Sequence, residues 1–441
     1  MTDSVLEPEN LAPLTTAFPS RSPEDMLSRL RQAEQAIREC LDNCDSEATA
    51  NAPIPAGQLE LSVVMPCLNE ADTLAICIEK AQRAMKEHGI HGEVVIADNG
   101  STDGSVEIAE ELGARVVHVA EKGYGNALQG GITASRGQYV IMGDADDSYD
   151  FLEIPKFVEQ LRAGHDLAQG CRLPSGGGTV LPGAMPKSHR WLGNPMFSLM
   201  VRKMFQAPIH DVYCGLRGFS RKLYDQLELR STGMEFATEM IIKSSLFKVQ
   251  IAEVPTTLHP DGRKSHAPHL RTVRDGWRTL RFFLMYSPKW LFLVPGLGLC
   301  LLGLLGYLLA LPGATLFGAT LDAHTLLAAS LAVLLGCQLL QFAVFAKTFA
   351  VSEGLVPPDA KLSRYLKFMN LERCLAGGVT SMVLGGGLLG GAVSQWSAVQ
   401  FGALDYATTM RWVIPGVTLV ALGCQIVFSS FFVRILRMAR K

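Results

Sequence analysis

The chain predicts an α/β domain built on a mostly parallel sheet, followed by a C-terminal α-helical transmembrane domain. Three observations carry this. Apolar strands alternate with helical patterns from about residue 59, each early strand ends in a turn of polar residues, and the second half contains four long stretches without a charge. Repeated β-α units imply a parallel sheet with helices on both faces and ligands at the strands' carboxyl ends. The expected organisation is an N-terminal extension over 1–58, partly helical or disordered, the α/β domain over 59–268, an interfacial amphipathic helix over 269–289 and four transmembrane helices over 290–441.

Within the extension, Ser22-Pro23-Glu24-Asp25 places an N-cap before a proline at the first helical position, so a helix is expected from there toward Cys44. Residues 51–57, with Pro53, Pro55 and Gly57, read as a linker. Strands are then expected at 61–65, 93–97, 115–119 and 139–142, with helices at 69–88, 103–112 and 124–135 between them. Asn69-Glu70 follows the first strand, Asp98-Asn99-Gly100-Ser101 the second, Glu121-Lys122-Gly123 the third, and Asp144-Ala145-Asp146 the fourth.

Charges vanish over 290–321, 325–346, 374–404 and 412–433, each stretch long enough to cross about 30 Å of hydrocarbon as a helix. Lys361, Arg364, Lys367 and Arg373 crowd the second connector and Arg434, Arg437, Arg440 and Lys441 the tail, so the α/β domain and both ends are expected on the cytoplasmic side. No cleavable signal is expected, because Met1-Thr2-Asp3 leads into polar, proline-containing sequence. The ten cysteines are scattered without a C-x-x-C pair, which predicts neither a structural disulfide nor a zinc site. A net charge of -2 argues against general nucleic-acid binding. Gly385-Gly386-Gly387 and Gly390-Gly391 permit close helix packing, within one protomer or between the protomers of a homo-oligomer.

Two carboxylates one residue apart at a strand's carboxyl end can grip Mg²⁺ or Mn²⁺, hard cations that bridge acids to a substrate's phosphates. Met65-Pro66-Cys67-Leu68-Asn69-Glu70, Ile96-Ala97-Asp98-Asn99-Gly100-Ser101-Thr102-Asp103-Gly104, Lys122-Gly123-Tyr124-Gly125-Asn126-Ala127 and Asp144-Ala145-Asp146, in that order, resemble the motifs of family 2 glycosyltransferases. Within that family the likeness is to polyprenyl-phosphate glycosyltransferases, the group of the dolichol-phosphate mannose synthases. It covers roughly 59–288 and implies a GT-A, Rossmann-like fold.

The resemblance implies an inverting, metal-dependent transfer of a hexose from a nucleotide-sugar donor of the UDP-glucose or GDP-mannose class to polyprenyl phosphate. Asp98 would read the base, Pro66 and Glu70 would line base and ribose, and Lys122, Arg263 and Lys264 would meet the diphosphate, the last two from a mobile loop. Asp144 and Asp146 would bind the metal, with Ser148, standing where relatives often carry Gln, a weaker third ligand. Asn99 departs from the Asp common in the family.

A lipid phosphate has its second pKa near 6 and is already largely anionic, so its site needs positive charge more than a base. Arg172 and Arg190 are the expected acceptor-phosphate residues, with Lys187 a lesser candidate. The segment 211–219 would shape the sugar pocket, and Glu235 and Glu239 share a helix face where either would bind sugar hydroxyls, Glu239 also buttressing the metal site. Arginines at helical spacing beside Trp277, Phe282 and Phe283 fit a helix in the headgroup plane, with 196–205 a second such element. A processive polysaccharide synthase is an alternative, although Lys187-Ser188-His189-Arg190-Trp191 lacks the Gln of the Gln-x-x-Arg-Trp element. A non-enzymatic lipid carrier or flippase is another, although its spans would need polar residues beyond Gln338, Gln341 and Gln425.

Overall fold

A computed structural model describes residues 59–263, 272–316, 318–357, 360–368 and 370–438; the expected helix toward Cys44, the linker and Lys264 lie outside them. Four apolar runs form the first half of the sheet: β1 (Leu61–Cys67), β2 (Gly92–Asp98), β3 (Arg115–His118) and β4 (Tyr139–Met142). They pair in parallel in the order β3-β2-β1-β4. Helices α1 (Leu74–Glu87), α2 (Ser105–Glu111) and α3 (Tyr124–Ala134) connect them. Two helices begin later than expected. Asn69 takes a left-handed φ of 61°, so 69–73 is a loop, and the Asp103 carboxylate accepts the Ser105 N–H at 3.1 Å, which delays α2.

The second half continues through α4 (Ile154–Arg162), β5 (Leu167–Cys171), β6 (Thr179–Val180), α5 (Asn194–Phe205), β7 (Arg217–Ser220), α6 (Arg221–Leu227), α7 (Glu235–Leu246), β8 (Ile251–Pro255), β9 (Thr257–Leu258) and α8 (Thr272–Tyr286). The main sheet has the order β3-β2-β1-β4-β7-β5-β8, and β6 pairs with β9. β7 runs antiparallel between β4 and β5, so the sheet is parallel on both sides of one reversed strand.

Each face of the sheet carries its own core. Leu74, Ile78 and Phe157 pack on one side, and Leu128, Phe205, Phe236, Met240 and Phe283 on the other. Phe283 is a departure from expectation, because its ring is buried against Phe197 and Phe205 (centroids 5.9 and 6.2 Å away) instead of facing a membrane. It ties α8, the last helix before the apolar half, into the domain core.

Among the described residues, four helices are long and apolar enough to cross a membrane: Lys289–Ala310, Ala323–Ser352, Leu371–Ala398 and Tyr406–Leu436. Their helical bodies are α9 (Val294–Ala310), α10 (Ala323–Ser352), α12 (Leu371–Ala398) and α13 (Tyr406–Leu436), with α11 (Ala360–Phe368) a short helix before α12. α12 and α13 approach closely through glycines: a Cβ on Gly385 would lie 2.6 Å from the Gly416 carbonyl oxygen, and one on Gly378 would lie 2.9 Å from that of Gly423. Gly386, Gly387 and Gly390 have open space where a side chain would stand.

Candidate active site

The carboxyl ends of β1, β2 and β4 converge on a cavity of about 560 Å³. The loop after β1 is held by the turn after β2. The Asn69 N–H donates to Ser101 Oγ (3.0 Å), the Glu70 N–H to Ser105 Oγ (3.0 Å), the Ala71 N–H to Asp103 (2.9 Å), and Asn69 Oδ1 accepts the Thr102 N–H (2.8 Å). This lacing sets Pro66 and Glu70 in the cavity wall.

Asp98 is buried at the end of β2, where its carboxylate accepts the N–H groups of Ser101 (2.9 Å) and Gly100 (3.2 Å) and lies 3.2 Å from His118 Nδ1. Burial alone would raise its pKa, but these donors, Ser101 foremost, hold it below the usual carboxylate value. Asn99 lines the cavity and braces the next loop. Its amide donates to the carbonyls of Val119 (3.0 Å) and Glu121 (2.8 Å) and accepts the Gly123 N–H (2.8 Å). A carboxylate accepts only, so an Asp here would face both carbonyls without a proton to give. Lys122, also on the wall, donates to the Asn99 carbonyl.

Asp144 and Asp146 both line the cavity. Burial first, then the charge of Asp146, push the Asp144 carboxyl up to about 6, against the pull of the Tyr124 hydroxyl, which donates to it at 2.9 Å, and of Arg263 and Arg172. Arg263 is the local counter-charge: its guanidinium reaches Asp146 and Glu70 at 3.1 Å each and is steadied by Asp261 at 2.9 Å. The loop it comes from pairs with the acid turn, with the Gly262 N–H on the Asp146 carbonyl (3.0 Å) and the His259 N–H on that of Ser148 (2.9 Å). Two hard oxygen donors, one buried and strained by the other's charge, fit a hard divalent cation whose other ligands come from phosphate and water. No cluster of three or more His, Cys, Asp or Glu that would complete a protein-only metal cage occurs among the described residues.

Asp98 and the remaining candidates lie off the cavity wall. Ser148 is nearly buried and engages Asp146 through its N–H at 3.0 Å. Arg172 forks onto the buried Asp211, with Nε and Nη2 at 2.8 and 3.0 Å, and reaches the Tyr149 hydroxyl at 3.4 Å. Burial works against both charges, yet their attraction wins: Arg172 is held well above, and Asp211 below, its ordinary value. Glu239 is fully buried, accepting the N–H groups of Arg230 and Ser231, the Lys243 ammonium (3.0 Å) and the Tyr286 hydroxyl (2.9 Å), so it joins α7 to α8. Arg190 sits in the π-helical turn His189–Gly193 with its guanidinium 5.3 Å from the Trp191 ring and its buried Nε without a hydrogen-bond partner.

Tyr124, Met234 and Arg278 complete the wall. Tyr124 stands in the third of the resembling motifs, and Arg278, one of the arginines beside Trp277 expected in the headgroup plane, pairs with Glu235 at 2.8 Å. The glycines explain how these distant segments meet. Gly123, at a φ of 139°, would place a Cβ 2.5 Å from the Thr232 carbonyl oxygen, and Gly125 would press one into the Ser231 carbonyl.

The chain is similar to known proteins over both halves. A model described as glycosyl transferase family 2 matches residues 62–228, and one described as glycosyltransferase family 2 C-terminal transmembrane region matches residues 344–437. Low-salt glycan biosynthesis hexosyltransferase Agl6 of Haloferax volcanii is 39% identical over 375 residues, covering 84% of this chain and 87% of the relative. A dolichyl-phosphate hexose transferase of the same organism is 32% identical over 197 residues, covering 44% of this chain and 81% of the relative. Among solved structures, glucosyl-3-phosphoglycerate synthase from Mycobacterium tuberculosis, in complex with Mn²⁺, UDP and glucosyl-3-phosphoglycerate, has a TM-score of 0.40 and 21% identity, covering 52% of this chain and 79% of that one.

Proposed function

The chain belongs to glycosyltransferase family 2, and from that membership we propose that it transfers a hexose from a nucleotide-sugar to polyprenyl phosphate at the cytoplasmic membrane face. The observation that carries the proposal is the placement of Asp144, Asp146 and Arg263 in one cavity of a domain whose last helix leads directly into a membrane span. The dolichyl-phosphate hexose transferase of Haloferax volcanii supports the choice of acceptor.

Asp144 and Asp146 would hold Mg²⁺ or Mn²⁺, whose charge offsets that of the departing nucleoside diphosphate. Arg263 and Lys122 bind the diphosphate, while Pro66 and Glu70 frame the nucleoside from the cavity wall and Asp98, buried at the end of β2 next to Asn99, reads its base. An oxygen of the acceptor phosphate attacks the anomeric carbon as the bond from that carbon to the diphosphate breaks, and the electron pair leaves with the nucleoside diphosphate. One displacement inverts the anomeric centre. Arg190, beside exposed Trp191, and Arg278, on the cavity wall and paired with Glu235, attract the acceptor head. Arg172 supports them from below through Asp211 and Tyr149.

Purified protein in liposomes, given polyprenyl phosphate and a panel of UDP- and GDP-hexoses, should yield a lipid carrying a single hexose, and chelation should abolish the product. The variants Asp144→Asn and Asp146→Asn should each lose at least about a hundredfold in rate, the scale of losing a preorganised electrostatic contact. A long polymer, or full activity in the double variant, would sink the assignment.

A further inference from the structure

A second cavity, of about 570 Å³, lies in the apolar half between α10, α11, α12 and α13. Its lining changes character along its length. Cys337, Leu340, Leu422 and Ile426 form one end, whereas Asn370, Glu372, Arg434 and Arg437 form the other. Leu422 on α13 and Arg437, the residue that caps it, are fifteen positions apart, roughly 22 Å at the helical rise. The serine hydroxyls of the inner wall are taken up by the protein: Ser429 donates to Gln341, Ser381 to the Leu419 carbonyl and Ser430 to the Val427 carbonyl, each at 2.7 Å. The inner part therefore offers an apolar surface. The polar end lies on the side from which α8 feeds α9, because α9 runs antiparallel to α10: a Cβ on Gly296 would stand 3.0 Å from the Gly336 carbonyl and one on Gly303 2.6 Å from that of Ala329, so α9 begins toward the Val344 and Phe345 side of α10.

We propose that this cavity is a binding site for one lipid with a phosphate head, the head at Arg434 and Arg437 and the first part of the tail running inward along α10 and α13. Two arginines over one carboxylate leave a net positive mouth for an anion. The volume falls within the roughly 300–1,000 Å³ of ordinary ligand pockets, so it holds the head and the first tail segment while the remainder lies among bulk lipid. The site is distinct from the donor cavity and does not depend on which lipid accepts the sugar.

The test is photo-crosslinking of the full chain in nanodiscs with three diazirine-tailed probes: polyprenyl phosphate, phosphatidylglycerol and phosphate-free polyprenol. Peptides spanning 337–345 and 422–433 should be labelled at least tenfold more by one or both phosphate lipids than by polyprenol. Preferential labelling by polyprenyl phosphate would make the occupant the isoprenoid substrate class, and equal labelling a membrane phospholipid. Arg434→Gln with Arg437→Gln should lower this labelling about tenfold. Ile426→Trp, which fills the cavity, should remove it while labelling at outward-facing Leu301 and Leu308 persists. Equal labelling by polyprenol, or labelling unchanged in both variants, would overturn the proposal. Crosslinking requires neither donor nor turnover, so its failure would leave the transferase reading intact, and loss of transfer would leave this site intact.

Discussion

At Asp144 two demands oppose each other: the folded domain buries the carboxyl beside another acid, whereas cation binding requires it ionised. Its raised pKa means that the folded chain holds this proton more tightly than the unfolded chain does. The resulting stabilisation is full below roughly pH 4 and is lost as pH rises through about 6. Cation affinity has the opposite dependence. Calorimetric Mn²⁺ titrations should show affinity falling about tenfold per pH unit below 6, since one proton must leave for each ion bound. Tyr124→Phe removes the hydroxyl that favours the ionised form, so the break should move to higher pH; an affinity flat from pH 5 to 8 would refute this. Arg172 poses a different question, whether a family arginine faces the acceptor or the protein. Its fork is filled by Asp211, so Asp211→Ala alone leaves a buried unpaired charge and should cost about 3–5 kcal/mol, read as a large fall in thermal midpoint. Replacing both, Arg172→Met with Asp211→Leu, should recover most of that stability, and transfer activity within tenfold of wild type would confirm a positioning role.

Element by element, what the sequence revealed and what it hid have distinct physical origins. β1, β2 and β4 were legible because strands buried on both faces must be largely apolar, β3, a half-buried edge strand, showed only through Val116-Val117, and the polar residues at the strand ends were legible as site residues because ligands bind there. β7 was not. Arg217-Gly218-Phe219-Ser220 has no apolar alternation, and its arginine is buried only because it donates to the Ala237 and Cys214 carbonyls at 2.5 and 2.6 Å, partners far off or turned back in sequence. Glu235 and Glu239 were correctly placed on one helix, but only the fold reveals that Glu239 turns into the α7–α8 joint and away from the cavity. Tyr124, Met234 and Arg278 escaped for a similar reason, since the start of α3, the residue before α7 and the middle of α8 meet on one wall. In the apolar half, glycine spacing announced close packing without saying which glycines pack. Gly385 faces Gly416 and Gly386 faces open space, so Gly385→Leu should cost about 1–3 kcal/mol of α12–α13 packing and lower the detergent melting temperature. Gly386→Leu should leave the melt within a degree or two, and equal shifts in the two variants would refute the packing assignment.

For the whole molecule, the decisive feature is where the α/β domain leaves its apolar surface. Trp191 is 71% exposed and Leu192 67%, both on the turn leading into α5, and Trp277 is 63% exposed on α8. The two helices are joined by the contact of Phe197 with Phe283, so these groups belong to neighbouring elements, of which α8 leads into the first span. Amphipathic tryptophans and a nearby arginine suit the interface between headgroups and acyl chains. A soluble acceptor would give no reason to hold such a surface there. A lipid acceptor does, because its phosphate lies in the headgroup plane while its chain cannot leave the bilayer. Docking should therefore govern access to the acceptor without touching the donor. Trp191→Ser with Trp277→Ser should raise the apparent KM for long-chain polyprenyl phosphate in liposomes about tenfold. The KM for the nucleotide-sugar, and the rate with a short water-soluble isoprenyl phosphate, should stay within twofold of wild type. Equal losses with the short and long acceptors would mean that the tryptophans serve the fold or the chemistry, and the membrane-facing role would have to be abandoned.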